Sequence, residues 1–288
     1  MNWEETIIEI RKKEDFKDLV YKSYLGADLR ENVERFVKSE EFIETLNLIK
    51  KNNPNGIKLL DIGSGNGISA IGFALNGFDV TVVEPDPSET IGAGAIRKLK
   101  DVFNLNNIEI HEGFAEEMDF ESESFDIVYA RQAMHHANNL DQFVGESSRL
   151  LKKGGIFLTT RDHVVFDAAD KEMFLNEHPL HKFYGGENAF SPTEYKSAIT
   201  SAGLTIVEEL RYFDSPINYY PELTTYQRKN LDQYLDALTE KILTNKFGSI
   251  GKIGLLKTLL SKRVGTDKDS FLDEKNRVGR IYSYLSKK

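Results

Sequence analysis

Two carboxylates bracket a run of three glycines. Asp61-Ile62-Gly63-Ser64-Gly65-Asn66-Gly67 sets an acid two positions before the first glycine, and Glu84 follows 23 positions after Asp61. Glycine lets a backbone turn sharply and approach a ligand with no Cβ in between. Where such a loop ends a strand and opens a helix, the free N–H groups of the first helical turn lie beside it. That is the crevice position of an open α/β sheet, and an acid about 20 residues further on is placed to hold a ribose. The chemistry implied is capture of a nucleoside.

The spacing narrows the nucleoside. A nicotinamide dinucleotide fingerprint needs G-x-G-x-x-G/A, yet the third glycine here is Gly67, and Ile68 stands where a small residue belongs. A carboxylate at position 61 would meet a pyrophosphate badly but can pair with an ammonium group. S-adenosylmethionine carries an α-amino group and a sulfonium and has no phosphate, so it suits the pair better. No Gly-Lys-Ser/Thr follows the loop, which excludes a Walker phosphate loop.

The elements that must position these residues alternate between strand and helix, which predicts a parallel sheet with helices on both faces. Residues 4–51 read as helical. Strands are expected at Ile57–Ile62, Val80–Val83, Ile108–His111, Phe125–Ala130, Ile156–Thr160 and Leu204–Leu210, with a seventh at Arg280–Leu285. Helices are expected from Gly67 to Asn76 and after Ser88 as an N-cap. Two more are expected around Leu140–Leu151 and around Tyr195–Ala202. Regularity lapses between Arg161 and Phe190, and residues 222–275 read as several short helices. The division expected is an N-terminal helical cap at 1–52, a Rossmann-like cofactor-binding core at 53–215, a helical insert or substrate cap at 216–278, and a final strand at 279–288.

These motifs resemble the class I S-adenosylmethionine-dependent methyltransferases over residues 55–212, with 280–288 as the antiparallel seventh strand. Asp61 to Gly67 resembles the family's first motif, and Val83-Glu84-Pro85-Asp86 its second, in which the acid holds both ribose hydroxyls. Gly113-Phe114-Ala115-Glu116 is similar to the adenine-contacting segment, with Phe114 where an Asp is frequent. Ser124–Val128 and Ala133-Met134-His135-His136 resemble the fourth strand and its exit. Leu150-Leu151-Lys152-Lys153-Gly154-Gly155 resembles the turn before the fifth strand. The resemblance implies a seven-stranded Rossmann-like fold with an antiparallel last strand and S-adenosyl-L-methionine as cofactor. It implies a cofactor site of Asp61, Gly63, Ser64, Gly65, Gly67, Glu84, Pro85, Asp86, Phe114, Ala115 and Glu116. Arg131, after the fourth strand, is either a partner for the methionine carboxylate or half of a surface salt bridge, and His136 either covers the methionine side or packs structurally.

Catalysis needs less than binding does, because the leaving group is already good and the protein mainly aligns the acceptor. Arg161-Asp162-His163 follows the fifth strand at the same edge. His163 can deprotonate a hydroxyl, since its ordinary pKa is near 6.5. Asp162 is the alternative base or a metal ligand, or both residues simply position a loop. The stretch His178–Asn188 reads as a polar substrate lid, and its two histidines three apart suggest a metal only if they share a helix, which Pro179 and Gly185-Gly186 oppose. No metal site is expected. Tyr21, Tyr24 and Arg35 are candidates to fold over the cofactor.

Bulk composition sets the limits. A net charge of −9 disfavours gripping a nucleic-acid backbone. No cysteine exists, so disulfides, thiolate metal sites and cysteine nucleophiles are excluded. The charged segment from Met1 to Glu14 lacks the apolar stretch of a secretory signal, and no apolar run is long enough to span a membrane, so a cytoplasmic monomer or homodimer is expected. The leading function is methyl transfer to a small polar acceptor such as a hydroxyl of a sugar or similar metabolite. The alternatives are N-methylation, protein or RNA methylation, or catalytically silent cofactor binding.

Overall fold

A computed structural model describes residues 1–247 and 261–288. Seven strands form one sheet in the order β3-β2-β1-β4-β5-β7-β6. They are β1 (Lys58–Ile62), β2 (Asp79–Val83), β3 (Ile108–His111), β4 (Phe125–Arg131), β5 (Leu151–His163), β6 (Thr205–Leu210) and β7 (Ile281–Lys287). The first five run parallel. β7 lies antiparallel between β5 and β6, as the resemblance implies.

The helices are α1 (Trp3–Ile10), α2 (Lys17–Lys22), α3 (Leu29–Phe36), α4 (Glu40–Asn52), α5 (Ile68–Leu75), α6 (Ala93–Val102) and α7 (Leu140–Leu150). They continue with α8 (Ala168–Glu177), α9 (His181–Tyr184), α10 (Pro192–Ser201), α11 (Pro216–Tyr219), α12 (Thr225–Lys229) and α13 (Leu231–Phe247).

Side chains alternate across the strands and build a core on each face. In β4, Ile127 and Tyr129 join a cluster with Phe36, Phe42, Phe73 and Ile96, whereas Val128 and Ala130 join Phe143, Val144, Tyr195 and Ile199. Strands covered on both faces read as continuous apolar runs, which is why β1, β2 and β4 are legible in the sequence. α5 is buried along nearly its whole length, as expected of a helix apolar all round.

Three expectations change. Ser88 does not cap the second core helix; α6 starts at Ala93 after Gly92. The chain leaving β2 folds back on itself, with Ala93 N–H donating to the Asp86 carbonyl at 2.7 Å. A Cβ at Gly92 would sit 2.0 Å from that same oxygen, so only glycine fits. β5 runs from Leu151 to His163 rather than only across its apolar centre, because pairing with β4 and β7 continues past the apolar residues. The 4–51 region is four separate helices, broken where Tyr24 takes a positive φ of 56° and where Asp28 and Ser39 cap new helices.

α4 is fastened to the sheet by an ion pair. Arg131 Nε, at the end of β4, donates to Glu41 Oε1 at 2.6 Å, and the Glu41 side chain is 1% exposed. Arg161 Nη1 lies 3.8 Å from the same carboxylate and donates to the carbonyls of Ile217, Asn218 and Tyr220. Removing one partner of a buried pair strands the other charge, at a cost of about 3–5 kcal/mol. Glu41→Ala is therefore expected to lower unfolding stability by about that amount. Urea denaturation checks it, and a midpoint equal to that of the wild type would remove the pair as a fastening.

Candidate active site

The glycine loop adopts the conformation its sequence demands. Gly63, Gly65 and Gly67 all have positive φ, at 65°, 56° and 83°. A Cβ on Gly63 would lie 2.7 Å from Ala133 Cβ, and one on Gly67 would lie 2.9 Å from Ile96 Cγ1. Asp61 is fully buried beneath the loop. Its Oδ2 accepts from Ser64 Oγ at 2.8 Å and Ser69 Oγ at 2.7 Å, while Oδ1 has no partner. Burial pushes this carboxyl up to about 6, against the pull of the two serines and Arg131. Asn66 Nδ2 donates to the Tyr24 carbonyl at 2.7 Å and so ties the loop to the N-terminal helices.

Glu84 ends β2 beside the loop. Its Oε2 accepts from Gly65 N–H at 2.7 Å and its Oε1 from Asp86 N–H at 2.9 Å. Burial nevertheless lifts it to about 7. Phe114 is 61% exposed and presents a ring at the rim. Glu116 Oε1 accepts from Asn138 N–H at 2.8 Å, fixing the chain after β4.

These residues line one cleft of about 620 Å³. Gly63, Ser64, Gly65, Glu84, Pro85, Asp86, Phe114, Ala115, Glu116 and Arg131 all border it; Asp61 and Gly67 do not. Arg131 answers neither sequence expectation cleanly, since it borders the cleft while holding buried Glu41 instead of a surface acid. Burial lowers its pKa, but Glu41 more than compensates and raises it.

The opposite wall is histidine-rich. His135, His136, His163 and His178 line it together with Tyr184 and Glu187. His163 Nδ1 lies 3.2 Å from the Gly279 carbonyl, which can only accept, so Nδ1 carries the proton and Nε2 the lone pair. Burial first, then neighbouring imidazoles, bring His163 down to about 4, and the ring is neutral. Asp162 does not border the cleft. It is fully buried, and its Oδ1 accepts from His135 N–H at 3.0 Å and meets His135 Nδ1 at 3.1 Å. Burial raises this carboxyl and lowers the His135 imidazole. Asp162 therefore orients His135, whose Nε2 faces Glu187 Oε2 at 3.9 Å.

Glu187 is clamped by Tyr184, whose hydroxyl donates to Oε1 at 2.5 Å. Burial would raise this carboxyl, but His178, His136 and His163, with the Tyr184 bond, outweigh it and hold it below the ordinary glutamate range. His178 follows α8 and His181 begins α9, so the two do not share a helix. Trp3 of α1 packs on Tyr184 with ring centroids 4.8 Å apart.

Sequence reasoning named His163 but gave His135 no role, since its partnership with Asp162 crosses from β4 to β5. The adjacent pair His135-His136 at a strand exit was the available signal. The N-terminal cover is made by Trp3, Leu19, Ser23 and Leu25, not by Tyr21, Tyr24 and Arg35. Tyr24 is buried in the core, and Arg35 stacks on Tyr21 at 3.4 Å. Among the described residues, none of 216–278 lines the cleft. Phe213, Tyr219 and Leu223 gather into a separate aromatic cluster; α1, α2, α9 and their flanking loops supply lining residues, and residues 248–260 of the expected cap lie outside the described residues.

Residues 60–159 match a family model described as a methyltransferase domain. Over this segment the chain carries a methyltransferase domain, and its fold is that of the class I S-adenosylmethionine-dependent enzymes. It is 28% identical over 169 residues to an uncharacterized methyltransferase of Bacillus subtilis, covering 56% of this chain and 62% of that protein. It is 26% identical to the sarcosine/dimethylglycine N-methyltransferase of Aphanothece halophytica, covering 72% and 75%. It is 25% identical to the ubiquinone biosynthesis O-methyltransferase of Rhizobium leguminosarum bv. trifolii, covering 57% and 65%. The chain thus spans a little under two thirds of the first and third of these relatives. The solved structure of a putative sarcosine dimethylglycine methyltransferase from Galdieria sulphuraria shares the fold with a TM-score of 0.56 at 16% identity, covering 90% and 87%. In this family's fold, the observed loop, Glu84 and the partnerless Asp61 Oδ1 fit a phosphate-free nucleoside bearing an amino group.

The neutral His163 has a consequence in acid. Its folded pKa, about 4, lies below its ordinary 6.5, so unfolding takes up a proton between those values. Its stabilising contribution is complete above about pH 6.5 and is lost as pH falls towards 4. The melting-temperature gap between wild type and His163→Gln is expected to shrink from pH 7 to pH 4. A constant gap across that range would sink the assignment.

Proposed function

We propose that the chain transfers a methyl group from S-adenosyl-L-methionine to a small polar acceptor, a hydroxyl oxygen of a sugar or similar metabolite. The observation that carries this is the meeting, in one cleft, of the glycine loop with lone-pair-bearing neutral histidines. S-adenosylmethionine supplies the electrophilic methyl group and its leaving sulfide. Glu84 takes the ribose hydroxyls on the lone pairs its two backbone partners leave free, and Ser64, backed by the buried Asp61, serves the amino end. Phe114 and Ala115 flank the base. Arg131 stands beside the methionine end with its charge already shared with Glu41.

The acceptor lies against the His135–His163 wall, where its hydroxyl is activated. Of the two residues expected to be catalytic, His163 keeps that role, and Asp162 becomes a positioning residue acting through His135. Trp3 of α1 and Tyr184 of α9 border the same cleft. A second reading, transfer to nitrogen, is favoured by the N-methyltransferase relative, whose similarity covers 72% of the chain. A labelled-methyl screen over hydroxylated and amine metabolites separates the two.

Calorimetric titration is expected to give binding of S-adenosylmethionine or its demethylated product, and of no nicotinamide dinucleotide. Absence of both at millimolar concentration would reject the reading. Asp61→Ala and Glu84→Ala should each weaken binding at least tenfold. Ribose hydroxyls donate to an ionised carboxylate, and Glu84 without cofactor titrates at about 7. Affinity is therefore expected to fall as pH drops below about 7, approaching tenfold per unit, and to lose that dependence in Glu84→Gln. His163→Ala should lower turnover far more than cofactor affinity; equal losses in both would remove His163 from the acceptor side.

A further inference from the structure

The geometry points to a divalent transition-metal site, of the zinc class, formed by His135 Nε2, His163 Nε2 and Glu187 Oε2 on the acceptor side of the cleft. Among the described residues, the ligating atoms of these three side chains lie within 4.8 Å of one another, and all three residues are buried. Nothing in methyl transfer itself calls for this convergence.

The supporting shell makes the case. Histidines that bind metals almost always donate their other ring N–H to a carboxylate or a backbone carbonyl. Here His135 has Asp162 at Nδ1, 3.1 Å away, and His163 has the Gly279 carbonyl at 3.2 Å. Each partner fixes the tautomer that leaves Nε2 as a lone pair. Glu187 is oriented in the same manner, since Tyr184 occupies Oε1 and leaves Oε2 towards His135 Nε2 at 3.9 Å. Three separate segments thus each aim one donor atom at a common point.

Size and chemistry agree. Zinc bonds of about 2.0–2.1 Å place tetrahedral ligands roughly 3.4 Å apart, so the widest pair must close by roughly 1.4 Å from 4.8 Å. Side-chain torsions supply that. Two imidazoles and one carboxylate are a donor set of catalytic zinc sites, which keep a fourth position open. Such a set also suits other first-row divalent ions, whereas magnesium prefers oxygen donors throughout. The open position faces the cleft, where a hydroxyl oxygen of the acceptor would complete the sphere. With the metal held, both Nε2 lone pairs are ligands and His163 acts as a ligand rather than as the base; the metal lowers the pKa of a coordinated hydroxyl, whose proton leaves to solvent before the oxygen attacks the methyl group. That use rests on the methyl-transfer reading, but the metal site does not.

The test uses full-length protein stripped with a chelator and titrated with Co²⁺ and with Zn²⁺. One equivalent of Co²⁺ is expected to give the visible bands of a low-coordinate centre, displaced by Zn²⁺, and Zn²⁺ should raise the melting temperature. His163→Ala and Glu187→Gln should weaken Zn²⁺ at least 100-fold. Asp162→Asn, which touches only the supporting shell, should weaken it 10–100-fold. S-adenosylmethionine affinity, measured on the same samples, should stay near wild type and so shows that the variants are folded. No stoichiometric binding to wild type at micromolar metal overturns the site, as does Zn²⁺ affinity unchanged in both Glu187→Gln and His163→Ala. Metal binding without S-adenosylmethionine binding would overturn the methyltransferase reading and leave the site standing; the reverse result overturns the metal site alone.

Discussion

Everything at the cleft depends on five strands running the same way. Parallel pairing of β1 with β2 and β4, and of β4 with β5, brings all their carboxyl ends to one edge of the sheet. Four of the five finish in a polar or turn-forming residue at the cleft: Gly63 after β1, Glu84 after β2, Arg131 at the end of β4 and His163 at the end of β5. Register decides which of these meet. Asp61 pairs with Val82 and Tyr129, and Ile62 with Val83 and Ala130. A slip of one residue would send each of these side chains to the opposite face.

Burial then sets the electrostatics. The structure places Asp61, Glu84 and Asp162 where water cannot reach them well, and all three carboxyls are raised, while His135 and His163 are lowered. Acids inclined to keep a proton and imidazoles inclined to lose one reduce the fixed charge around the cleft, with Glu187, held in its ionised form, as the exception. The full charges nearby are paired, Arg131 with Glu41 above all.

The fold was largely legible from the sequence because the strands of its core are buried on both faces and read as apolar runs. The nucleoside half of the site was legible for a related reason: glycines at positive φ and an acid at fixed spacing are local signatures. The acceptor half was not. Asp162 reaches His135 only because β4 lies beside β5, and Glu187 reaches both histidines from a loop whose path no periodicity encodes. Ser88 misled because a good capping residue sits in a chain that first folds back on Asp86. The cover over the cleft was misplaced because the aromatic residues near Tyr219 can satisfy one another, whereas Trp3 needs Tyr184, far away in sequence.

That last contact joins two sides of the cleft. Trp3 rests on the ring of Tyr184, and the hydroxyl of the same tyrosine holds Glu187. One side chain thus serves α1 through its face and the acceptor wall through its oxygen, and two residues 184 positions apart in the sequence share a single neighbour.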